Sequence, residues 1–283
     1  MGTGRQHKHR DLTRTLAVAL TVLAGFHGCT VKEDRSPCPS LLIVNTEELN
    51  ESISPHVIHI WSDGQLQIYD KIIPEEYPHE WTAEVRRSVN TLTAICGLDK
   101  TEIEDQSVTI RRGQESDRLW THHSIVDCSG EYGYDTLRMH KQYCVLTIDM
   151  LDYPEDNTDW TQYDAIPEIH GSCSGYRIDK GIPLQGDFLA NARYAGDGLF
   201  QVILPRQLPD DDLTLRLIKD GLSTGSVDIG IVLKLAGFDW EKEDLDDAFI
   251  VIRNNNSIDI GSGESNGMKV VAWQFGSYGT PGW

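Results

Sequence analysis

The chain has 283 residues, with 44 Asp and Glu against 25 Lys and Arg, giving a net charge of −19. That acidity excludes backbone-driven nucleic-acid binding and electrostatic adhesion to anionic lipid, and it favours solubility. The length suits two domains of ordinary size.

The first predicted element is a secretory leader. Arg5, Lys8, Arg10 and Arg14 form a basic start, an apolar run extends from Leu16 to Phe26, and small Gly28 precedes Cys29. No charged side chain lies between Arg14 and Lys32, but Thr21, Gly25 and His27 dilute a gap already shorter than the roughly 20 apolar residues a spanning helix needs. Residues 1–28 therefore read as a signal peptide, with Cys29 placed like the lipid-modified first residue of a bacterial lipoprotein. An ordinary signal peptide cut nearby is the alternative. Phe26 and His27 stand where lipoprotein boxes usually carry an aliphatic and a small residue. Without the leader, 21 basic face 43 acidic side chains, a net charge of −22. No later apolar run is long enough to cross a bilayer, so membrane attachment would come from the lipid on Cys29.

Residues 29–39 read as an acylated tether, because Pro37, Pro39 and the charged run Lys32 to Arg35 oppose regular structure. If Cys29 is lipidated, Cys38, Cys96, Cys128, Cys144 and Cys173 remain, an odd number, so at least one stays outside any disulfide. One or two disulfides are compatible with an oxidising compartment. No C-x-x-C spacing occurs, which removes a zinc ribbon, a thioredoxin-like site and a haem attachment.

Strand signals then follow one another. Leu41 to Val44 opens the series, and Val57 to Trp61 with Leu66 to Tyr69 flank Asp63-Gly64, a hairpin whose turn needs positive φ. Thr91 to Cys96 reads as a half-buried strand ending at Gly97, and Val108 to Ile110, Leu119-Trp120 and Ile125-Val126 as further short strands. The spacing predicts a sandwich or barrel and not βαβ units. His140 to Met150 reads as one long strand opening a second domain, so the expected division is 40–137 and 138–283. An acidic loop, Asp152 to Asp159, follows. Phe188 to Arg193, Phe200 to Leu204 and the alternating Leu213 to Ile218 continue the second half. Asp228 is placed to cap a short helix, Ile229 to Ala236, with Gly237 at its end; a strand is the other reading. Phe249 to Ile252 and Lys269 to Phe275 finish the sheet before a Gly-rich tail.

Catalytic signals are weak. Gly171-Ser172-Cys173-Ser174-Gly175 has nucleophile-elbow spacing but no later histidine, since His170 is the last, and reads as a plain turn. His122 and His123, adjacent on a strand, would point to opposite faces and read as an exposed pair near a turn. The acidic runs Asp210 to Asp212 and Asp244 to Asp247, like Asp156 to Asp159, lack the central glycine of a calcium loop. No metal, cofactor or small-molecule substrate is expected. Trp160, Tyr163, Trp240 and Tyr278 could stack on a glycan, although such loop aromatics more often belong to the core.

The order of these landmarks resembles the FimB/Mfa2 family, the fimbrial anchor lipoproteins of Bacteroidetes. It is carried by Cys29, Glu33-Asp34 and Ser36-Pro37-Cys38-Pro39, then Gly113 and Asp117-Arg118-Leu119-Trp120. His140-Lys141, Leu213-Thr214-Leu215, Gly237-Phe238-Asp239-Trp240, Glu243-Asp244-Leu245 and Val270-Val271-Ala272-Trp273 complete it. Lys32-Glu33-Asp34 also resembles the acidic export signal of surface-exposed lipoproteins in that phylum. The resemblance implies an all-β chain of two tandem transthyretin-like β-sandwich domains behind a lipoprotein signal peptide. It further implies no enzymatic activity and a place at the outer membrane, where the chain would hold a fimbria at its base and affect its length. A fimbrial stalk subunit would be the partner, engaged through a strand or edge; Lys269, Val270, Val271, Ala272, Trp273, Gln274 and Phe275 are the expected partner strand. A surface lipoprotein that binds glycan or a host ligand through the loop aromatics is the competing reading.

Replacing Cys29 with Ala tests the leader. The variant should lose the acylated N-terminus, read by mass spectrometry, and leave the membrane fraction; normal processing with membrane retention would refute the anchor.

Overall fold

The computed structural model describes residues 38–50, 55–150, 165–209, 212–254 and 268–275. The leader, Cys29 and the tether to Pro37 lie outside the described residues, as do the acidic loop, Trp160, Tyr163, Asp210, Asp211 and the tail from Gly276.

The first half is built from seven principal strands. β1 (Ser40–Asn45) lies between β4 (Glu80–Val85), antiparallel, and β9 (Tyr132–Thr136), parallel. Facing them is a second sheet in which β2 (His56–Ser62) pairs with β3 (Gln65–Ile72) and β5 (Val89–Cys96), and β5 with β8 (Trp120–Asp127), all antiparallel. The β2–β3 hairpin turns on Asp63 (φ 51°) and Gly64 (φ 72°), as the Asp-Gly pair demands. Strand alternation sends Leu42 and Val44 of β1, Ile58 and Ile60 of β2, and Leu92 and Ala94 of β5 into one core with Trp81, Val126 and Leu137. Each fully buried Leu or Ile of this set contributes roughly 1.5–3 kcal/mol of transfer free energy.

The second half repeats this wiring strand for strand. β11 (Tyr143–Met150) lies between β15 (Leu199–Pro205), antiparallel, and β18 (Ala248–Asn254), parallel. Opposite them β12 (Ala165–Arg177) pairs with β13 (Ile182–Asn191) and β16 (Thr214–Lys219), and β16 with β17 (Leu222–Asp228). The core gathers Leu146, Ile148, Ile169, Phe188, Phe200, Val202, Leu215, Leu217, Ile250 and Ile252. The short helix α1 (Ile229–Leu235) starts where expected: Asp228 accepts from the Ile231 N–H at 3.0 Å, and Gly237 (φ 91°) follows the last turn. Among the described residues the chain is thus all-β apart from this helix, two sandwiches with no closed barrel.

Four readings of the sequence change. Trp120 and Ile125-Val126 are parts of the single eight-residue strand β8, which Leu119 just precedes, because the polar residues between them pair along β5. The run His140 to Met150 breaks at Gln142: β10 (His140–Lys141) pairs with β8 in the first sandwich, and only β11 enters the second. Gly171 to Gly175 is not a turn but the irregular middle of β12, with register shifts between Gly171 and Cys173 and between Cys173 and Gly175. The strand at Val108 belongs to an arm, β6 (Ile103–Glu104) and β7 (Ser107–Thr109), that leaves the first half and pairs with β12 of the second.

That arm sets how the sandwiches meet. Gly175 is required there, since a Cβ at this residue would lie 1.9 Å from the Val108 carbonyl oxygen. Val108 packs with Leu119, Tyr176 and Ile178 against Trp61 and Ile95 on the outer face of the first sandwich. Thr93 Oγ1 donates to the Ile178 carbonyl at 3.0 Å and Thr121 Oγ1 to the Tyr176 hydroxyl at 3.3 Å.

On the same face His59 stacks on Trp61 (centroids 5.3 Å apart, planes 12°) and meets the edge of Tyr69. Burial drives the His59 imidazole down to about 4. His56 and His123 are also lowered, chiefly by burial. An imidazole held below its unfolded value binds its proton more readily in the unfolded chain, so these groups destabilise the fold as pH falls. Stability should be full above about pH 6.5 and decline towards pH 4, the interval between the ordinary histidine value and that of His59. Urea midpoints measured across this range should show the decline, and His59→Phe should reduce its slope.

Candidate functional site

Two regions carry the expected site residues. The first is the edge of the second sandwich. Lys269 to Phe275 falls within β19 (Met268–Phe275), which lies antiparallel on β18, from Ala248 opposite Phe275 to Asn254 opposite Met268. Among the described residues β19 ends its sheet, in the order β14 (Arg193–Gly196), β15, β11, β18, β19. A terminal strand keeps one row of peptide groups for another chain, which is the geometry of strand addition.

The second region is the crossing between sandwiches at Gln142. Its organiser is Arg206, placed just after β15 by the Pro205 end of that strand. The Arg206 guanidinium donates to Gln142 Oε1 (2.7 Å), to the Trp240 carbonyl, and to the carbonyls of Glu243 (3.0 Å) and Lys141 (3.4 Å). The Arg206 N–H closes on the Gln142 carbonyl at 3.0 Å. Burial pushes the guanidinium below its ordinary value, while Tyr176, Asp244 and Asp239 oppose that shift.

The loop from Phe238 to Asp247 is gathered onto the crossing by the same logic. The Lys141 N–H donates to Asp244 Oδ1 (2.7 Å) and the Leu245 N–H to the Lys141 carbonyl (3.2 Å). Lys141 Nζ reaches Asp247 Oδ1 (2.6 Å) and sits 4.7 Å over the Tyr143 ring. Asp247 Oδ1 also accepts from the Val145 N–H at 2.8 Å. His140 stands between carboxylates, with Nε2 3.0 Å from Glu243 and Nδ1 3.4 Å from Asp244. The landmarks His140-Lys141, Gly237 to Trp240 and Glu243 to Leu245, far apart in sequence, therefore meet in one polar joint. Trp240 is buried in the second core, edge-on to Phe238 with centroids 4.6 Å apart, so it is core and not a stacking platform. Asp117, another landmark, is buried and accepts from the N–H groups of Lys100 and Thr101 at 2.9–3.1 Å.

The remaining candidates fall into structural roles. His122 and His123 lie in the middle of β8, not beside a turn, and turn to opposite faces as strand geometry requires. His122 Nε2 is 3.0 Å from Asp135 Oδ2, and His123 Nδ1 is 3.1 Å from Thr93 Oγ1. Burial raises the Asp135 carboxyl, but hydrogen bonds from His122, Ser124 and the Thr136 N–H outweigh it and hold the group below its ordinary value. Cys173 is buried inside β12, and its N–H and that of Ser172 each donate to Gln207 Oε1 at 3.1 Å, an arrangement without the strand-turn-helix of an elbow. Cys96, Cys128 and Cys144 are buried thiols; burial pushes Cys96 up to about 12 and raises the other two. Cys38 is exposed at the start of the described chain. Arg206 and Gln142 carried no signal in the sequence, because neither belongs to a motif or to a periodic pattern.

Solved structures share this architecture. The fimbrial anchor protein Mfa2 of Porphyromonas gingivalis superposes with a TM-score of 0.59 at 14% identity, over 84% of this chain and 97% of that one. A candidate adhesin of Bacteroides ovatus gives 0.61 at 12% identity, over 86% and 96%. A candidate polysaccharide-binding protein of Bacteroides thetaiotaomicron gives 0.56 at 12%, over 77% and 92%. At such identities the likeness is one of fold, and it spans both sandwiches. No protein-family model and no curated sequence matches the chain.

Arg206→Ala should lower the unfolding free energy by about 1–3 kcal/mol, since it leaves the part-buried Trp240 carbonyl and Gln142 Oε1 without their charged donor. Arg206→Lys should restore less than half of this, because an ammonium lacks the planar fork. Urea unfolding, with proteolysis mapped to residues 239–247, measures both.

Proposed function

We propose that this chain is a non-enzymatic outer-membrane lipoprotein that holds a fimbria at its base and influences its length, by strand or edge contact with a stalk subunit. The observation that carries the reading is the fold shared with a fimbrial anchor over 97% of that protein's length. Lipid on Cys29 would hold the chain to the membrane, residues 29–39 would be the tether, and 40–137 and 138–283 the two domains. The position of β1 supports a subunit that keeps its first strand. In the fimbriae this family serves, stalk subunits lose an N-terminal strand and accept a neighbour's in its place. A chain anchored through Cys29 would lose its lipid by that route. Here β1 has partners on both sides and fully buries Leu42 and Val44, so its removal would open the first core. β19, at a sheet end, is the strand we assign to the stalk contact.

The likeness to a candidate polysaccharide-binding protein favours a second reading, a surface lipoprotein that takes glycan. The buried Trp240 removes one of its four expected platforms.

A strain lacking this chain should shed fimbriae into the medium and show altered fimbrial length by electron microscopy. The wild-type chain should restore retention. A version ending after Gly267, which lacks β19 and the tail to Trp283, should reach the membrane and fail to retain fimbriae, with circular dichroism checking that it folds. Normal attachment in the deletion strain would sink the anchoring reading, and normal attachment with the shortened chain would sink the role of β19 alone.

A further inference from the structure

The internal repeat is uneven at its parallel strand. In the second sandwich the parallel strand β18 carries β19 on its outer edge. Its counterpart in the first sandwich, β9, pairs with β1 on one side and, among the described residues, with no strand on the other.

The hydrogen bonds show which peptide groups are left. The Leu41 N–H donates to the Glu131 carbonyl (2.9 Å) and the Leu137 N–H to the Asn45 carbonyl (3.0 Å). In a parallel ladder alternate residues serve one neighbour, so Gly133 and Asp135 face β1 while Tyr132, Tyr134 and Thr136 face away. The Thr136 N–H is already taken by Asp135 Oδ1 at 2.8 Å. Tyr132 and Tyr134 therefore present the open edge.

The other long edges of the first sandwich carry guards. β4 exposes Glu80 and Glu84, and β3 exposes Gln65, Gln67 and Lys71, the polar and charged residues that discourage pairing. β9 has none of these. Its Asp135 turns inward to His122 and Ser124, and its outward side chains are two tyrosines, 52% and 69% exposed, with rings 6.3 Å apart and 28° from parallel. An open cleft lined by Tyr134, Asp135, Thr136, Arg138, His140 and Glu243 runs beside this edge.

We propose that the β9 edge receives an extended β-strand of another polypeptide, laid antiparallel on β9 as β19 lies on β18. The occupant's chemistry is read from the strand that fills the equivalent place. β19 has the sequence MKVVAWQF, which is rich in β-formers, holds one lysine and has no acidic residue. The cleft beside the edge mixes Arg138 and His140 with Asp135 and Glu243, so backbone pairing and apolar contact with the tyrosines, and not charge, select such a segment. The proposal extends beyond the anchoring reading, because it holds whichever protein supplies the strand.

The probe is a capped peptide MKVVAWQF added to the full mature chain, with amide exchange followed by NMR. At ten times its Kd the peptide should slow exchange at Tyr132 and Tyr134 by about tenfold. The same peptide N-methylated at alternate residues on its pairing edge should give no protection, and Tyr134→Lys, which adds an edge charge, should weaken it. Protection confined to residues 248–254 would mean that the peptide only replaces β19, and would overturn the proposal. Unprotected edge amides together with a cellohexaose-induced shift of the tyrosine rings would make the surface a sugar platform, and would overturn it equally.

Discussion

Each sandwich is closed by a parallel pair that joins its first strand to one near its end, β1 with β9 and β11 with β18. A parallel pair cannot be made by a hairpin, so the chain between the two strands must cross over to the opposite sheet and return. The first strand is consequently the centre of its sheet, and its side chains are among the most buried of the molecule. Most other features follow from this. The pairing of β2 with β3 and β5, and of β12 with β13 and β16, builds the opposite sheet from the intervening chain.

The two halves are not beads on a string. The arm β6–β7 inserts between β5 and β8 in sequence but hydrogen-bonds to β12, and β10 remains with the first sheet while the next residues begin the second. An apolar contact centred on Trp61, Val108 and Tyr176 lies on one side of the junction, and the joint around Arg206 on another. The apolar contact supplies burial without direction. The polar joint supplies direction, because a planar guanidinium satisfies several carbonyls only when the crossing and the Phe238–Asp247 loop are in register.

What could be read from the residues was local. The Asp-Gly hairpin, the Asp228 cap with Gly237, the alternation of Leu213 to Ile218 and the β-rich run at Lys269 are encoded within a few residues, and all four are present. β4, β9 and β17 were missed. Glu80 to Val85 and Tyr132 to Thr136 are short and polar and gain their place from pairing with β1; Leu222 to Asp228 carries a glycine and exposed side chains and depends on β16. The break at Gln142 and the destination of the arm are tertiary facts with no signature in composition. The residues that carried the FimB/Mfa2 resemblance proved informative in a way their order alone did not show. Several of them converge on the polar joint, where side chains and backbone are both committed.

The central position of β1 also decides how the molecule would bear load. A pull applied at the N-terminus of β1 acts along the strand axis, and the strand is bonded to a neighbour on each side. Its ladders are then loaded in shear, many hydrogen bonds sharing the force at once, whereas a strand drawn off a sheet edge peels one bond at a time. Leu42 and Val44 would have to leave the core in the same step. Forced rupture is governed by the unfolding rate, not by equilibrium stability. The N-terminal end of β1 is therefore the mechanically strong end of its sandwich, and the two-sided strand works as a rivet.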